Sequence, residues 1–227
     1  MDRADRTSGR DFLRIAWPWL ALAIPLVVAT VLLSGISPAM ARVVTDTLIK
    51  LVMVAGLYIF IGNSGVLSFG HGAFMIVGAY VSAWLTIPPM MKNVILPALP
   101  EVLKAAHLHP ALGAAVAILA CAVLAFLVGI PLMRLSGIAA SIATFALFVV
   151  VNVIFNNWTG WTKGTASLVG LPVYTGPYIA LAAALGAMLV AYLFQRSRFG
   201  LMLRATREDP VAARAAGMRV ERLRLYA

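Results

Sequence analysis

The chain has 227 residues, 62% of them hydrophobic and only 11% charged, with a mean hydropathy of +0.95. A soluble fold of this length cannot hide so much apolar surface behind so few polar side chains, so lipid is the expected solvent. The net charge of +10 would suit nucleic acid in a soluble protein, but its placement excludes that partner: Arg3, Arg6, Arg10 and Arg14 precede the first apolar run and eight arginines follow the last, the loop bias of an inner or plasma membrane protein.

A helix crosses the hydrocarbon with about 20 apolar residues, roughly 17 to 25 being tolerated. Six segments meet or approach that length: 15–33, 43–61, 66–87, 111–132, 138–155 and 178–194. The first is longer than a signal-peptide core and lacks a small-x-small cleavage site, so it reads as a retained span. An even number of spans puts both termini on one side, and the arginines put that side in the cytoplasm. The expected fold is therefore an all-α polytopic membrane protein with about six transmembrane helices. It has a cytoplasmic arm (1–14), a transmembrane domain (15–194) and a cytoplasmic loop (195–227). Trp17, Trp19, Trp84, Trp158 and Trp161 fall near predicted span ends, where amphipathic rings anchor at the interface. Cys121 has no partner cysteine, so no disulfide framework exists.

Asp46 and Lys50 lie four residues apart in the second span, on one helical face. They read as a mutually neutralising pair close to the interface, or as the lining of a path. The stretch from Gly62 to Tyr80 is G-N-S-G-V-L-S-F-G-H-G-A-F-M-I-V-G-A-Y. Its glycines Gly62, Gly65, Gly70, Gly72 and Gly78 allow close backbone approach or tight turns. Asn63, Ser64, Ser68 and His71 are polar residues between apolar runs. Non-helical backbone at membrane depth survives only where protein covers it or where it lines a wet cavity. The stretch is therefore either a tight crossing or the lining of a translocation path, and His71 fits both.

Residues 152–172 carry Gly, Thr, Ser and a closing proline, an irregular outer segment able to cap something. After residue 194 the composition turns basic. Asp209 followed by Pro210 is a helix start and Gly217 a stop, giving a helix over 210–216. A helix of about two turns is marginal alone. Its small face of Ala212, Ala213, Ala215 and Ala216 suits a protein groove, and contact with anionic headgroups is the plainer alternative.

Two stretches resemble one family. Gly62 to Tyr80 matches the signature of branched-chain amino acid ABC transporter permeases through Gly62, Gly65, Leu67, Ser68, Gly70, His71, Ala73, Phe74, Gly78, Ala79 and Tyr80. The run from Ser197-Arg198-Phe199-Gly200 through Glu208-Asp209 to Ala212-Ala213 and Gly217 is similar to the coupling loop of importer permeases, with Val211 where its first Glu would stand. A third stretch, 162–172, is similar to a glycine-rich outer segment of the family, with Lys163 and Ser167 in place of two glycines. The resemblance implies a permease subunit of an ATP-driven importer for branched-chain amino acids, in a bacterial inner membrane. It would work with cytoplasmic ATPase subunits, a second permease subunit and a periplasmic binding protein, with no cofactor or metal and no catalysis of its own. Glu208, Asp209, Ala212, Ala213 and Gly217 would contact the ATPase. The family continues into further membrane helices, so the chain is expected to be C-terminally short relative to it.

No G-x-x-x-x-G-K-[ST] loop is present, so phosphate binding of that kind is not expected in this chain. An intramembrane serine protease is disfavoured because Ser68 lacks the G-x-S-x-G frame, and His107 and His109 lie in an outer loop. A permease for urea or short amides, or a self-contained secondary carrier or channel built on broken helices, remains the rival.

Overall fold

A computed structural model describes residues 4–135, 137–166, 168, 170–171 and 174–226, with side chains from residue 17 onward. Ser167 and Pro172, which the third motif invokes, lie outside the described residues. Among the described residues there is no strand. The helices are α1 (Ala4–Ser34), α2 (Pro38–Leu57), α3 (His71–Thr86), α4 (Pro89–Ile95), α5 (Glu101–Ala105), α6 (Pro110–Leu132), α7 (Ile138–Asn157), α8 (Thr159–Thr162), α9 (Pro177–Arg196), α10 (Arg198–Glu208), α11 (Pro210–Ala215) and α12 (Val220–Tyr226). A π-helical turn, Tyr58–Gly62, closes α2.

Among the described residues, five segments are long and apolar enough to cross a membrane: Trp17–Ser34, Pro38–Gly62, Pro110–Leu132, Ile138–Asn157 and Pro177–Arg196. The chain is an all-α, multi-pass membrane protein. The expected span over 66–87 needs correction, because its helix begins only at His71 and has 16 residues. At 1.5 Å per residue that is about 24 Å, short of the ~30 Å hydrocarbon thickness. The missing length is chain that is neither helix nor strand. Helix α1 begins at Ala4, so the backbone of the expected N-terminal arm continues the first span without a break.

Helix starts follow local chemistry. Pro38, Pro110 and Pro177 stand in the first turn of their helices, where the absent N–H costs nothing. Ser37 Oγ accepts from Met40 N (3.2 Å) and His109 Nδ1 accepts from Ala111 N (3.3 Å), capping α2 and α6.

The chain divides into two compact units, Met1–Ile59 with Thr175–Leu201, and Phe60–Tyr174 with Met202–Ala227. In the first unit α1, α2 and α9 pack together. Its core joins Val44 and Leu48 of α2 to Ala180, Leu181 and Ala184 of α9, where alanine lets the backbones approach closely. Asp46 and Lys50 pair at 2.6 Å and are both largely exposed to the surroundings of the helix. Gly200 follows the corner between α9 and α10, where a Cβ would collide with the Phe194 carbonyl.

In the second unit α3 packs against α6 and α7. A Cβ on Gly113 would meet Thr86 at 2.7 Å and one on Gly78 would meet Cys121 at 3.2 Å, so α6 runs antiparallel to α3. Gly72 lies against Phe148, and Tyr80 against Phe155 at 5.0 Å between ring centroids, so α7 runs parallel to α3. Trp84, Trp158 and Trp161, expected as separate interfacial anchors, are packed on one another. Trp158 stacks on Trp161 at 4.6 Å, and Trp84 Nε1 donates to the Trp161 carbonyl at 2.9 Å.

Candidate functional site: a broken helix over a cavity

All of the site lies in the second unit. From Gly65 to Phe69 the chain leaves the helix, so the N–H groups after Gly65 lose the usual i to i−4 partners and must find others in an apolar setting. Gly65 turns the chain with φ +68 and donates to the Ile61 carbonyl at 3.0 Å. Ser64 Oγ accepts from Val66 N at 3.2 Å. Helix α7 supplies the rest: Ser141 Oγ donates to the Leu67 carbonyl (2.7 Å), and Thr144 Oγ1 accepts from Phe69 N (3.2 Å) while donating to the Ser141 carbonyl (2.9 Å). Arg207 of α10 donates to the Gly62 carbonyl at 2.9 Å, closing the preceding π-helical turn.

The glycines of this stretch have different tasks. Gly65 needs its left-handed backbone, and a Cβ there would also strike the Arg207 side chain at 2.8 Å. Gly72 has Phe148 where a Cβ would sit, at 2.7 Å, and Gly78 has Cys121. Gly70 has only ordinary contacts, the nearest being Thr144 at 3.5 Å. Gly62 contributes its carbonyl.

The polar residues separate as well. Asn63 and Ser64 are buried. Ser68 and His71 line a cavity of about 210 Å³, with Thr144 from α7 and Arg224 from α12. Its other walls are apolar, Phe60, Phe74, Leu132, Leu147 and Leu225 among them. One side-chain nitrogen of this lining, Arg224 Nε, is buried without a hydrogen-bond partner. Desolvation pushes the Arg224 guanidinium below its ordinary pKa, the Arg214 charge adds to this, and Glu221 opposes it. The sequence gives Thr144, Ser141, Arg207 and Arg224 no site role, because hydroxyls in an apolar run and arginines in a basic tail carry no periodic signal. Only the fold brings them to residues 62–71.

The segment after α10 is built as its capping residues predict. Asp209 Oδ1 accepts from Val211 N (2.8 Å) and Ala212 N (3.0 Å). Gly217 ends α11 with φ +82, and Met218 N donates to the Ala213 carbonyl at 3.0 Å. Ala213 is buried within the unit, whereas Ala212, Ala215, Ala216 and Val211, the last 73% exposed, face outward. Glu208 is exposed at the end of α10, 3.8 Å from the adjacent Arg207.

On the loop between α3 and α6, Lys92 is fully enclosed and its Nζ donates to the carbonyls of Leu103 (2.9 Å) and Ala106. The ammonium satisfies the C-terminal carbonyls of α5. Lys163, at a glycine position of the third motif, adopts a left-handed φ of 66, next to Gly164 at 63. Among the described residues no group of acidic, His and Cys side chains could hold a metal ion.

No curated protein and no solved structure shows significant similarity to the chain. A family model described as branched-chain amino acid transport system, permease component, matches residues 39–227, which include the broken helix, the cavity and α11. The chain belongs to the branched-chain amino acid transport permease family.

Proposed function

We propose that the chain is the membrane-spanning permease subunit of an ATP-driven importer of branched-chain amino acids in a bacterial inner membrane, with both termini in the cytoplasm. The observation that carries this reading is the construction of α11. It is a helix capped at both ends, tied to its own unit through Ala213, that leaves Val211, Ala212, Ala215 and Ala216 uncovered. A two-turn helix is held in shape by such caps and gains little from lipid through small side chains, so an outside protein surface is its natural partner. Cytoplasmic ATPase subunits would grip α11, with Glu208, Asp209 and Gly217 fixing its ends. A second permease subunit would complete the pore, and a periplasmic binding protein would deliver cargo.

On this reading Ser68 and His71 belong to the translocation path, while Asn63, Ser64 and the glycines hold the broken helix beside it. ATP-dependent leucine uptake by the assembled system in proteoliposomes is the test. Uptake is expected only with ATPase and binding protein present. Uptake by the chain alone, or of urea in preference to leucine, would replace the proposal with a self-contained carrier or an amide permease.

A further inference from the structure

Helix α2 carries two seams, and the first unit uses one of them. Val44, Leu48, Leu51 and Ala55 follow one another at steps of four and three residues on the side packed in that unit, against α1 and α9. Ala39, Arg42, Asp46, Ile49, Met53 and Gly56 repeat the same steps on the opposite side, and all but the half-buried Met53 are exposed. Alternating steps of three and four along a whole span are the pattern by which one helix lies along another.

Lipid is a poor cover for this second side. Lys50, next to the seam, lies twelve residues from either end of the span Pro38–Gly62, about 18 Å at 1.5 Å per residue. That is the middle of the hydrocarbon, where a lysine stem cannot carry its ammonium to the headgroups and charge is costly. The pair with Asp46, at 2.6 Å, leaves the two side chains 67% and 63% exposed. Gly56 has nothing within 4 Å of where a Cβ would stand, so bare backbone faces outward, as it does where membrane helices approach closely. Exposed Val43, Ile49 and Val54 beside the ion pair give the mixed apolar and charged surface of a protein contact rather than an aqueous lining.

We infer that this side of α2 is the seam between two copies of the chain, packed in parallel about a two-fold axis along the membrane normal. Charge complementarity names a second copy as the occupant. Asp46 is the only acidic residue in any of the five spans, and with Lys50 it makes a neutral patch of one anion and one cation. Two such pairs at equal depth form a neutral cluster in which each carboxylate lies about one turn from the other copy's ammonium. The contact is isologous, Asp46 of one copy to Lys50 of the other and the reverse. Arg42, four residues from the Pro38 end of the span, is within reach of the headgroups. This rests on the importer reading, which needs a second permease subunit, and identifies that subunit as another copy of the chain.

The test uses the full chain alone in proteoliposomes, in a Cys121→Ser background. Ile49→Cys and Met53→Cys are each expected to give disulfide-linked dimers on oxidation with copper phenanthroline, because facing seam residues come within the roughly 4.4–6.8 Å Cα separation that a disulfide needs. Ile118→Cys, 69% exposed on α6, is expected to stay monomeric. Energy transfer between labelled copies, followed as lipid is added, measures association. Asp46→Leu combined with Lys50→Leu is expected to weaken it about five- to thirtyfold, the range for polar contacts between membrane helices. Gly56→Leu is expected to abolish it while the monomer melts no lower, since no atom of the chain lies near that Cβ.

Monomers alone from Ile49→Cys and Met53→Cys, equal cross-linking of Ile118→Cys, or association unchanged by Gly56→Leu and by the charge-free variant would each overturn the seam. A one-to-one pair with an unlike permease subunit in the assembled importer would also overturn it, while ATP-dependent uptake, and with it the importer reading, stands. A dimer through α2 without ATP-dependent uptake would keep the seam and remove the importer reading.

Discussion

At the scale of single residues, the non-helical segment 65–69 depends on one threonine. Thr144 accepts from Phe69 N, which has no helical partner, and donates its own proton to the Ser141 carbonyl inside α7. Thr144→Val keeps the shape and removes both bonds. It is expected to cost about 1–3 kcal/mol, the price of buried polar groups left unmatched, read as a lower melting temperature in detergent. Lys163 presents the opposite case. It occupies a left-handed backbone at φ 66, which costs a residue with a Cβ on the order of 1 kcal/mol. Lys163→Gly is expected to raise stability by about 0.5–1 kcal/mol, since the extra freedom of glycine in the unfolded chain takes back part of the gain. An unchanged or lower melting temperature would show that the lysine side chain contributes more than its strained backbone costs.

At the scale of elements, two adjacent alanines of α11 have opposite surroundings. Ala213 is buried and Ala212 exposed, although in sequence they are adjacent and alike. Ala212→Trp is expected to leave the melting temperature within a degree or two and to abolish co-purification with the ATPase. Ala213→Trp is expected to lower the melting temperature itself, because overfilling a packed site costs about 1–3 kcal/mol. Equal effects of the two substitutions on both measurements would remove α11 as a docking element.

The hairpin of α4 and α5 carries a pH dependence. Burial lowers the Lys92 pKa from its ordinary 10.5, so between the lowered value and 10.5 the unfolded hairpin binds more protons than the folded one. Stability of the hairpin is therefore expected to rise with pH through that window. Amide exchange over 89–106, compared from pH 8 to pH 10 after correction for the intrinsic rate, should show rising protection, and Lys92→Met should flatten the trend.

At the scale of the whole molecule, the spans of the second unit alternate in direction. In the second unit α3 and α7 run parallel and α6 opposite, as alternating spans require. In a Cys121→Ser background, Glu101→Cys between α3 and α6 is expected to react with a membrane-impermeant maleimide from outside intact cells. Glu208→Cys at the end of α10 is expected to react only after permeabilisation. The reverse pattern would invert the protein in the membrane.

Composition and hydropathy were enough to determine the solvent, the fold class and the places of five spans, because transferring about 20 apolar residues to lipid is a local, additive preference. The caps of α11 were legible too, since Asp209, Pro210 and Gly217 act on their own neighbours. The third span was misjudged in length because hydropathy counts apolar residues and not hydrogen bonds. It could not register that 65–69 would leave the helix and be satisfied by Ser141 and Thr144, some 75 residues away. Tertiary structure alone decided which of Asn63, Ser64, Ser68 and His71 reach a cavity, which alanine of α11 stays outside, and that Arg224 of the basic tail returns to the broken helix. Those outcomes depend on packing between distant segments, where close-range contact and the need to pair every buried polar group set the geometry.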